Sequence, residues 1–152
     1  MMLNSDYRDI LSALSDRKVK FLLVGAYAMA VHGYPRSTMD IDLWVMPDPE
    51  NAILVLQALE DFGAPSGELL PEDLQKDGIV FQIGAAPRRI DILTSADGLK
   101  FEEAFANSQT IDIDGIPVHV LSTADLIKNK RSTGRTKDLA DAESLEEVGS
   151  KH

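Results

Sequence analysis

Residues 24–45 read VGAYAMAVHGYPRSTMDIDLWV. The stretch opens at the end of an apolar run, VKFLLV at 19–24, which reads as a short buried strand. Gly25 ends that strand, AYAMAVH at 26–32 reads as a short helix, Gly33 closes it, and Tyr34-Pro35 breaks the chain. MDIDLWVM at 39–46 then alternates polar and apolar for several steps, the period of a strand. A strand, a glycine, a short helix, a turn and a second strand make a unit that belongs in an α/β sheet.

The flanking sequence extends that unit. Upstream, Ser5 is expected to cap a helix over 5–17, with Tyr7, Ile10, Leu11 and Leu14 at i, i+3, i+4, i+7. Downstream, Pro47 to Pro49 turn the chain into a helix over 50–62 with Ile53, Leu56, Leu59 and Phe62 on or near one face, and 63–78 reads as a loop with one helical turn. IVFQIG (79–84) and RRIDILT (88–94) read as two strands joined by Ala85-Ala86-Pro87, and 99–107 as a short helix. QTIDIDGIPVHVL (109–121) reads as a β-hairpin turning at Asp114-Gly115. Ser122 caps a helix over about 123–132, Thr133-Gly134 breaks it, and Thr136 caps a last helix carrying Leu139, Ala142, Leu145 and Val148. The expected fold is α/β (α+β): a mixed central sheet flanked by helices, with a helical C-terminal end over about 122–148, in a single domain spanning 1–152.

The composition narrows the function. The 152 residues carry 25 acidic and 15 basic side chains, a formal net charge of −10, and no cysteine. Disulfides, zinc–cysteine sites and a thiol nucleophile are excluded. No apolar run reaches membrane-spanning length, the N-terminus lacks a basic-then-apolar leader, and a cytoplasmic protein is expected. The negative charge argues against an extended nucleic-acid surface, although not against a locally held nucleotide.

Asp40-Ile41-Asp42 carries the chemistry. Strand geometry puts Asp40 and Asp42 on one face, roughly 7 Å apart at Cα, while Ile41, Leu43 and Val45 point into the core. Two carboxylates so close in a cleft repel each other, and a divalent cation offsets that repulsion. Asp91 in RIDIL supplies a third acid if its strand lies beside the first. Three such acids hold two metals about 4 Å apart, one activating the attacking oxygen and the other neutralising the leaving pyrophosphate. Ile111-Asp112-Ile113-Asp114 repeats the alternation but runs into Gly115, so Asp112 and Asp114 are assigned to a solvated strand and turn. What sets 40–42 apart is the upstream strand–glycine–helix, where backbone N–H groups can meet a phosphate without a Cβ in the way.

Together these segments resemble the minimal nucleotidyltransferases of the DNA polymerase beta superfamily. VGAYAMAVHGYPRSTMDIDLWV and the later LIKNKRSTGRTKDLADAESL are similar to the abortive-infection and toxin–antitoxin nucleotidyltransferase group. The resemblance covers roughly 20–147. It implies that Gly25 and Ala26 cradle the β and γ phosphates of an NTP. It also implies that Asp40 and Asp42 bind two Mg²⁺ ions, and that Asp91 binds the catalytic metal and assists deprotonation of the acceptor hydroxyl. Ala26 stands where the group has Gly or Ser, so the backbone N–H is kept and a hydroxyl contact is absent. Lys130 and Lys137 match the basic positions of the group's ending, which assigns one or both to the nucleotide.

Other residues are weighed on local grounds. Arg36 is placed to reach a triphosphate, the alternative being a solvated loop arginine; Thr38 either bonds a phosphate or ends the loop. Lys128, Lys130, Arg131, Arg135 and Lys137 form a basic cluster at the break between the last two helices. Asp138 suits the last helix start, and Asp141 is one turn on from Lys137. His32 is read as a helix-end cation, His119 as part of the hairpin, Trp44 as a partly buried structural residue, the alternative being a residue that stacks a base or sugar, and Tyr27 as a candidate pocket wall. The expected function is Mg²⁺-dependent transfer of an NMP from NTP to an unidentified acceptor (a small molecule, tRNA or protein) with release of pyrophosphate. The alternative is a member of a toxin–antitoxin pair acting by binding a partner protein.

Overall fold

The computed structural model describes residues 4–34, 40–65, 67–85 and 88–150, without the side chains of 148–150. Helix α1 (Ser5–Asp16) buries Tyr7, Ile10, Leu11 and Leu14, the stripe expected from the 3.6-residue period. Its cap is Asn4 rather than Ser5: the Asn4 Oδ1 accepts the Tyr7 N–H at 2.9 Å. Strand β1 (Phe21–Val24) is buried along its whole length and runs directly into helix α2 (Gly25–Val31). Strand β2 (Ile41–Val45) follows, with Ile41, Leu43 and Val45 fully buried.

Helix α3 (Pro49–Phe62) starts with proline in its first turn, behind Asp48, whose Oδ2 accepts the Asn51 N–H at 3.0 Å. Its fully buried positions are Asn51, Ala52, Val55, Ala58 and Leu59, and Leu56 and Phe62 pack against the core partly buried, so of the anticipated stripe only Ile53, 49% exposed, departs. The physical reason is the partner: α3 packs on α1, and small side chains let two helices approach closely. Asn51 ties the helix to the sheet. Its Oδ1 accepts the Lys20 N–H at 2.8 Å, and its Nδ2 donates to the Lys20 and Met46 carbonyls, both at 3.0 Å.

A single 3-10 turn (Asp73–Gln75) interrupts the following loop. Strands β3 (Val80–Ile83) and β4 (Ile90–Leu93) come next, then helix α4 (Phe101–Ala106) and a hairpin of β5 (Gln109–Ile113) and β6 (Ile116–Val120). The hairpin turns through Asp114 and Gly115 at φ 51° and 86°, the positive pair that a two-residue turn requires. Helices α5 (Thr123–Thr133) and α6 (Thr136–Ser150) pack on each other, and α5 also touches α2. Ser122 caps α5 by accepting the Asp125 N–H at 3.1 Å. In α6, Ala142 and Leu145 are buried while Leu139 is 42% exposed, so Leu139 departs from the anticipated inner face.

The six strands form one mixed sheet in the order β3-β4-β2-β1-β6-β5. β1 is antiparallel to β2 and parallel to β6, β2 is parallel to β4, and β3 and β5 are antiparallel edges. This is the mixed sheet flanked by helices that the pattern predicted. Trp44 is 2% exposed and meets Phe101 of α4 edge-on, centroids 5.2 Å apart, which makes it a core residue. No helix among the described residues is long and apolar enough to cross a membrane.

Candidate active site

Register brings the acids together. β2 and β4 are neighbours, and Asp42 lies directly beside Asp91, with Ile41 beside Ile90. On the other side, Val24 of β1 pairs with Asp42, so Gly25, the next residue, arrives against the same carboxylate. Gly25 opens α2 at φ +68°, and a Cβ built on it would lie 2.3 Å from Asp42 Oδ2. Both the backbone angle and the lack of space call for glycine here. Asp40 sits just before β2, where its Oδ1 accepts the Arg89 N–H at 3.1 Å.

These groups wall one pocket of about 590 Å³. Gly25, Ala26, Asp40, Asp42 and Asp91 form one side, with Arg89 among the acids. Val80 of the edge strand and Leu93 of β4 are its apolar lining. Lys130, Arg135, Lys137 and Asp138, from α5, α6 and the turn between them, complete it. The structure thus brings together Gly25, Ala26, Asp40, Asp42, Asp91, Lys130 and Lys137. Arg36 and Thr38 lie outside the described residues. Tyr27 does not line the pocket and instead packs edge-on against Tyr7 at 5.4 Å. His32 Nε2 bonds the Leu121 carbonyl oxygen at 2.8 Å, and His119 lies against Phe105, so neither joins the site. Asp112 accepts the Gly115 N–H and Asp114 reaches Arg8 at 3.7 Å, so both belong to the hairpin turn.

The basic wall is held from beneath. Lys130 Nζ lies 3.2 Å from Asp138 and 3.5 Å from Asp141, both buried. Asp138 also accepts from the Thr133 hydroxyl at 2.7 Å and from Arg135 Nε at 2.8 Å. Burial opposes its charge, but the Thr133 hydroxyl, Lys130 and Arg135 outweigh that and hold its carboxyl below the usual range. Arg131 turns away and pairs with Glu146.

Asp138 was expected only to serve the start of the last helix, and Arg89 was not among the candidate residues. Asp138 anchors Lys130, a role that depends on how α6 folds back on α5 and has no local signal. Arg89 is different, because in Arg89-Ile90-Asp91 the i, i+2 spacing already puts it on the acid face. Its Nε donates to Asp91 Oδ1 at 2.8 Å and its Nη2 to Asp91 Oδ2 at 3.2 Å, while Nη2 stands 3.4 Å from Asp40 Oδ2. The Asp42 carboxyl is pushed up to about 7, first by burial, then by Asp91 and Asp40, with Arg89 acting in the opposite sense. The donor set is all oxygen, the chemistry of a hard divalent cation such as Mg²⁺. A carboxylate that is costly to ionise beside two others fits such an ion.

Over residues 1–149 the sequence matches the family described as "Nucleotidyltransferase of unknown function (DUF6036)". The chain belongs to this nucleotidyltransferase family. No curated protein matches it in sequence. Among solved structures, the nucleotidyltransferase fold is shared with a Thermotoga maritima protein described as a nucleotidyltransferase candidate. That pair is 16% identical with TM-score 0.59, covering 99% of this chain and 97% of the other. The antibiotic-resistance factor ANT(2″)-Ia, in solution, is 18% identical with TM-score 0.59, over 93% of this chain and 80% of that one. Its crystal structure in complex with adenylyl-2″-tobramycin is 17% identical with TM-score 0.57, over 94% and 90%.

Proposed function

We propose that this nucleotidyltransferase moves a nucleoside monophosphate from an NTP to an acceptor hydroxyl, releasing pyrophosphate. The observation that carries the reading is the pocket in which Gly25 and Ala26, the acids Asp40, Asp42 and Asp91, and the bases Lys130 and Lys137 meet from distant segments. The family membership and the adenylylated product bound by ANT(2″)-Ia support the same reaction class.

Asp40, Asp42 and Asp91 are the residues that would hold Mg²⁺. When bound, the metal pair supplies Lewis-acid activation of the acceptor oxygen and neutralises the leaving pyrophosphate. The chain's own groups do the rest. Gly25 and Ala26 are proposed to present backbone N–H groups to the phosphates at the start of α2, Gly25 with no Cβ in the way. Lys130, fixed by Asp138 and Asp141, and Lys137 bring positive charge to the pocket wall facing a triphosphate. Asp91 is the group assigned to receive the acceptor's proton. Arg36 and Thr38 are proposed to contact the phosphates from the segment between α2 and β2. Val80 and Leu93 offer apolar surface to whatever part of the substrate lies beyond the acids. The reading places the enzyme in the cytoplasm, where NTP is abundant and a cysteine-free chain needs no oxidising compartment.

The test is the paired change Asp40→Asn and Asp42→Asn, with binding of each NTP measured with and without Mg²⁺. Mg²⁺-dependent binding is expected to disappear; binding that persists unchanged removes the metal assignment. Incubating the protein with labelled NTPs, Mg²⁺ and separated small-molecule, tRNA and protein fractions then identifies the acceptor by where label appears.

A further inference from the structure

The acids do not face an empty cleft, because Arg89 stands among them. Its planar fork grips both oxygens of Asp91, and the same guanidinium reaches Asp40. Its main chain is fixed separately. The N–H donates to Asp40 Oδ1 at 3.1 Å, the carbonyl accepts the Ile41 N–H at 3.0 Å, and the Tyr7 hydroxyl donates to that carbonyl at 3.3 Å. The backbone of residue 89 is therefore pinned at the seam of β2 and β4 and to α1, while only the side chain spans the acids. Among the described residues, no three acidic or imidazole side chains are gathered as a ready cage for an ion. Asp40 and Asp91 are instead turned to the guanidinium.

We propose that Arg89 is the resident counter-cation of the carboxylate cluster, and that a divalent metal enters by exchanging with its side chain at Asp40 and Asp91. The proposal rests on the reading of these acids as metal ligands. The physics is that of competition for the same oxygens. A guanidinium keeps its charge at any accessible pH, so it leaves the carboxylates only when its arm moves. Its donors are strong and directional, and a bidentate carboxylate pair is among the firmest polar contacts a side chain makes. A divalent ion carries twice the charge in a smaller volume and draws on the same carboxylates. With the guanidinium bonded to both Asp91 oxygens, its fixed positive charge repels a cation approaching them, so metal binding there is favoured when the arm withdraws. The exchange explains how three acids on adjacent strands fold together without metal. It also makes Arg89 a determinant of metal affinity in place of a bystander on the strand.

The test uses the full chain without nucleotide and Mn²⁺ as a paramagnetic substitute for Mg²⁺, with free Mn²⁺ read by electron paramagnetic resonance. Arg89→Gln is expected to bind Mn²⁺ at least about tenfold more tightly than the unaltered protein, a factor worth about 1.4 kcal/mol. Arg89→Lys, which keeps the charge and loses the fork, is expected to fall between them. Mn²⁺ binding that is unchanged or weaker in Arg89→Gln overturns the proposal. Should the Gln variant not fold, the unaltered protein answers by nuclear magnetic resonance. The Arg89 Nε–H is expected to be protected from water exchange without metal and to lose that protection at saturating Mg²⁺; protection retained at saturation overturns the exchange. If neither the unaltered protein nor Arg89→Gln takes up Mn²⁺, the metal-ligand reading falls and the proposal with it. Uptake that the substitution does not tighten removes the proposal alone.

Discussion

A methyl group on Gly25 would lie 2.3 Å from Asp42 Oδ2, and the residue's φ of +68° already strains any L side chain. Gly25→Ala therefore pushes on the acid that the sheet register has set beside Asp91. The expected cost is about 2 kcal/mol of stability or more, read by urea denaturation, together with loss of Mg²⁺-dependent NTP binding. A variant of unchanged stability would show that Asp42 yields freely. Asp42 itself carries a pH signature. Its carboxyl is raised from 3.8 to about 7, so the folded protein holds that proton more tightly than the unfolded chain does. The contribution is unfavourable wherever Asp42 must ionise in the fold. Stability then falls as pH rises through the window from about 4 to 7, and the loss is complete above it. In divalent-free buffer, Asp42→Asn is expected to flatten this slope and gain on the unaltered protein at about pH 8 relative to about pH 5. Parallel pH profiles would contradict the assignment.

At the level of elements, α3 shows where periodicity carries information and where it stops. The existence of the helix was legible, as were the i, i+2 acids of β2 and the turn pair of the hairpin, because each is written in neighbouring residues. The inner side of α3 was legible through Leu56, Leu59 and Phe62, but the small residues that share it were not. Ile53 is larger and more apolar than Ala52 and Ala58, yet both alanines are fully buried while Ile53 borders a surface groove. A one-dimensional pattern does not say where the neighbour sits. The same holds for Lys130, whose partners Asp138 and Asp141 come from a helix that folds back across a break, whereas Arg89 was within reach of the strand period. Asn51 gives the element-scale prediction. Asn51→Ala leaves the Lys20 N–H and two inward carbonyls short of partners at the root of α3, at a cost of about 2–3 kcal/mol measured in urea, with metal affinity unaltered. A loss below about 0.5 kcal/mol would mean that water replaces the amide at no net expense.

For the molecule as a whole, the net charge of −10 is a poor guide to the pocket, because most of its acids and most of its bases come from different walls. Asp40, Asp42 and Asp91 come from β2, its lead-in and β4, with Arg89 among them, whereas Lys130, Arg135 and Lys137 come from α5, α6 and the turn between, with Asp138 beside them. A ligand that bridges the two walls should stabilise the entire fold by mass action. Mg²⁺-NTP at about 100 times its dissociation constant is expected to add about 2.7 kcal/mol and raise the thermal midpoint by roughly 5–10 °C. The Asp40→Asn, Asp42→Asn double variant should show no such rise. An equal shift in both proteins would place the nucleotide elsewhere.

The order in which the sheet is threaded also sets a timetable on the ribosome. β1 is an inner strand, yet its partner β6 (Ile116–Val120) is among the last strands translated, and the basic wall comes later still. At about 5–20 residues per second, the interval between Asp91 and Lys137 is roughly 2–9 s. Until β6 has been made, β1 lacks its parallel partner and the sheet cannot be completed on that side. The pocket is thus a late product of synthesis, since its basic wall is the last part of it to be translated.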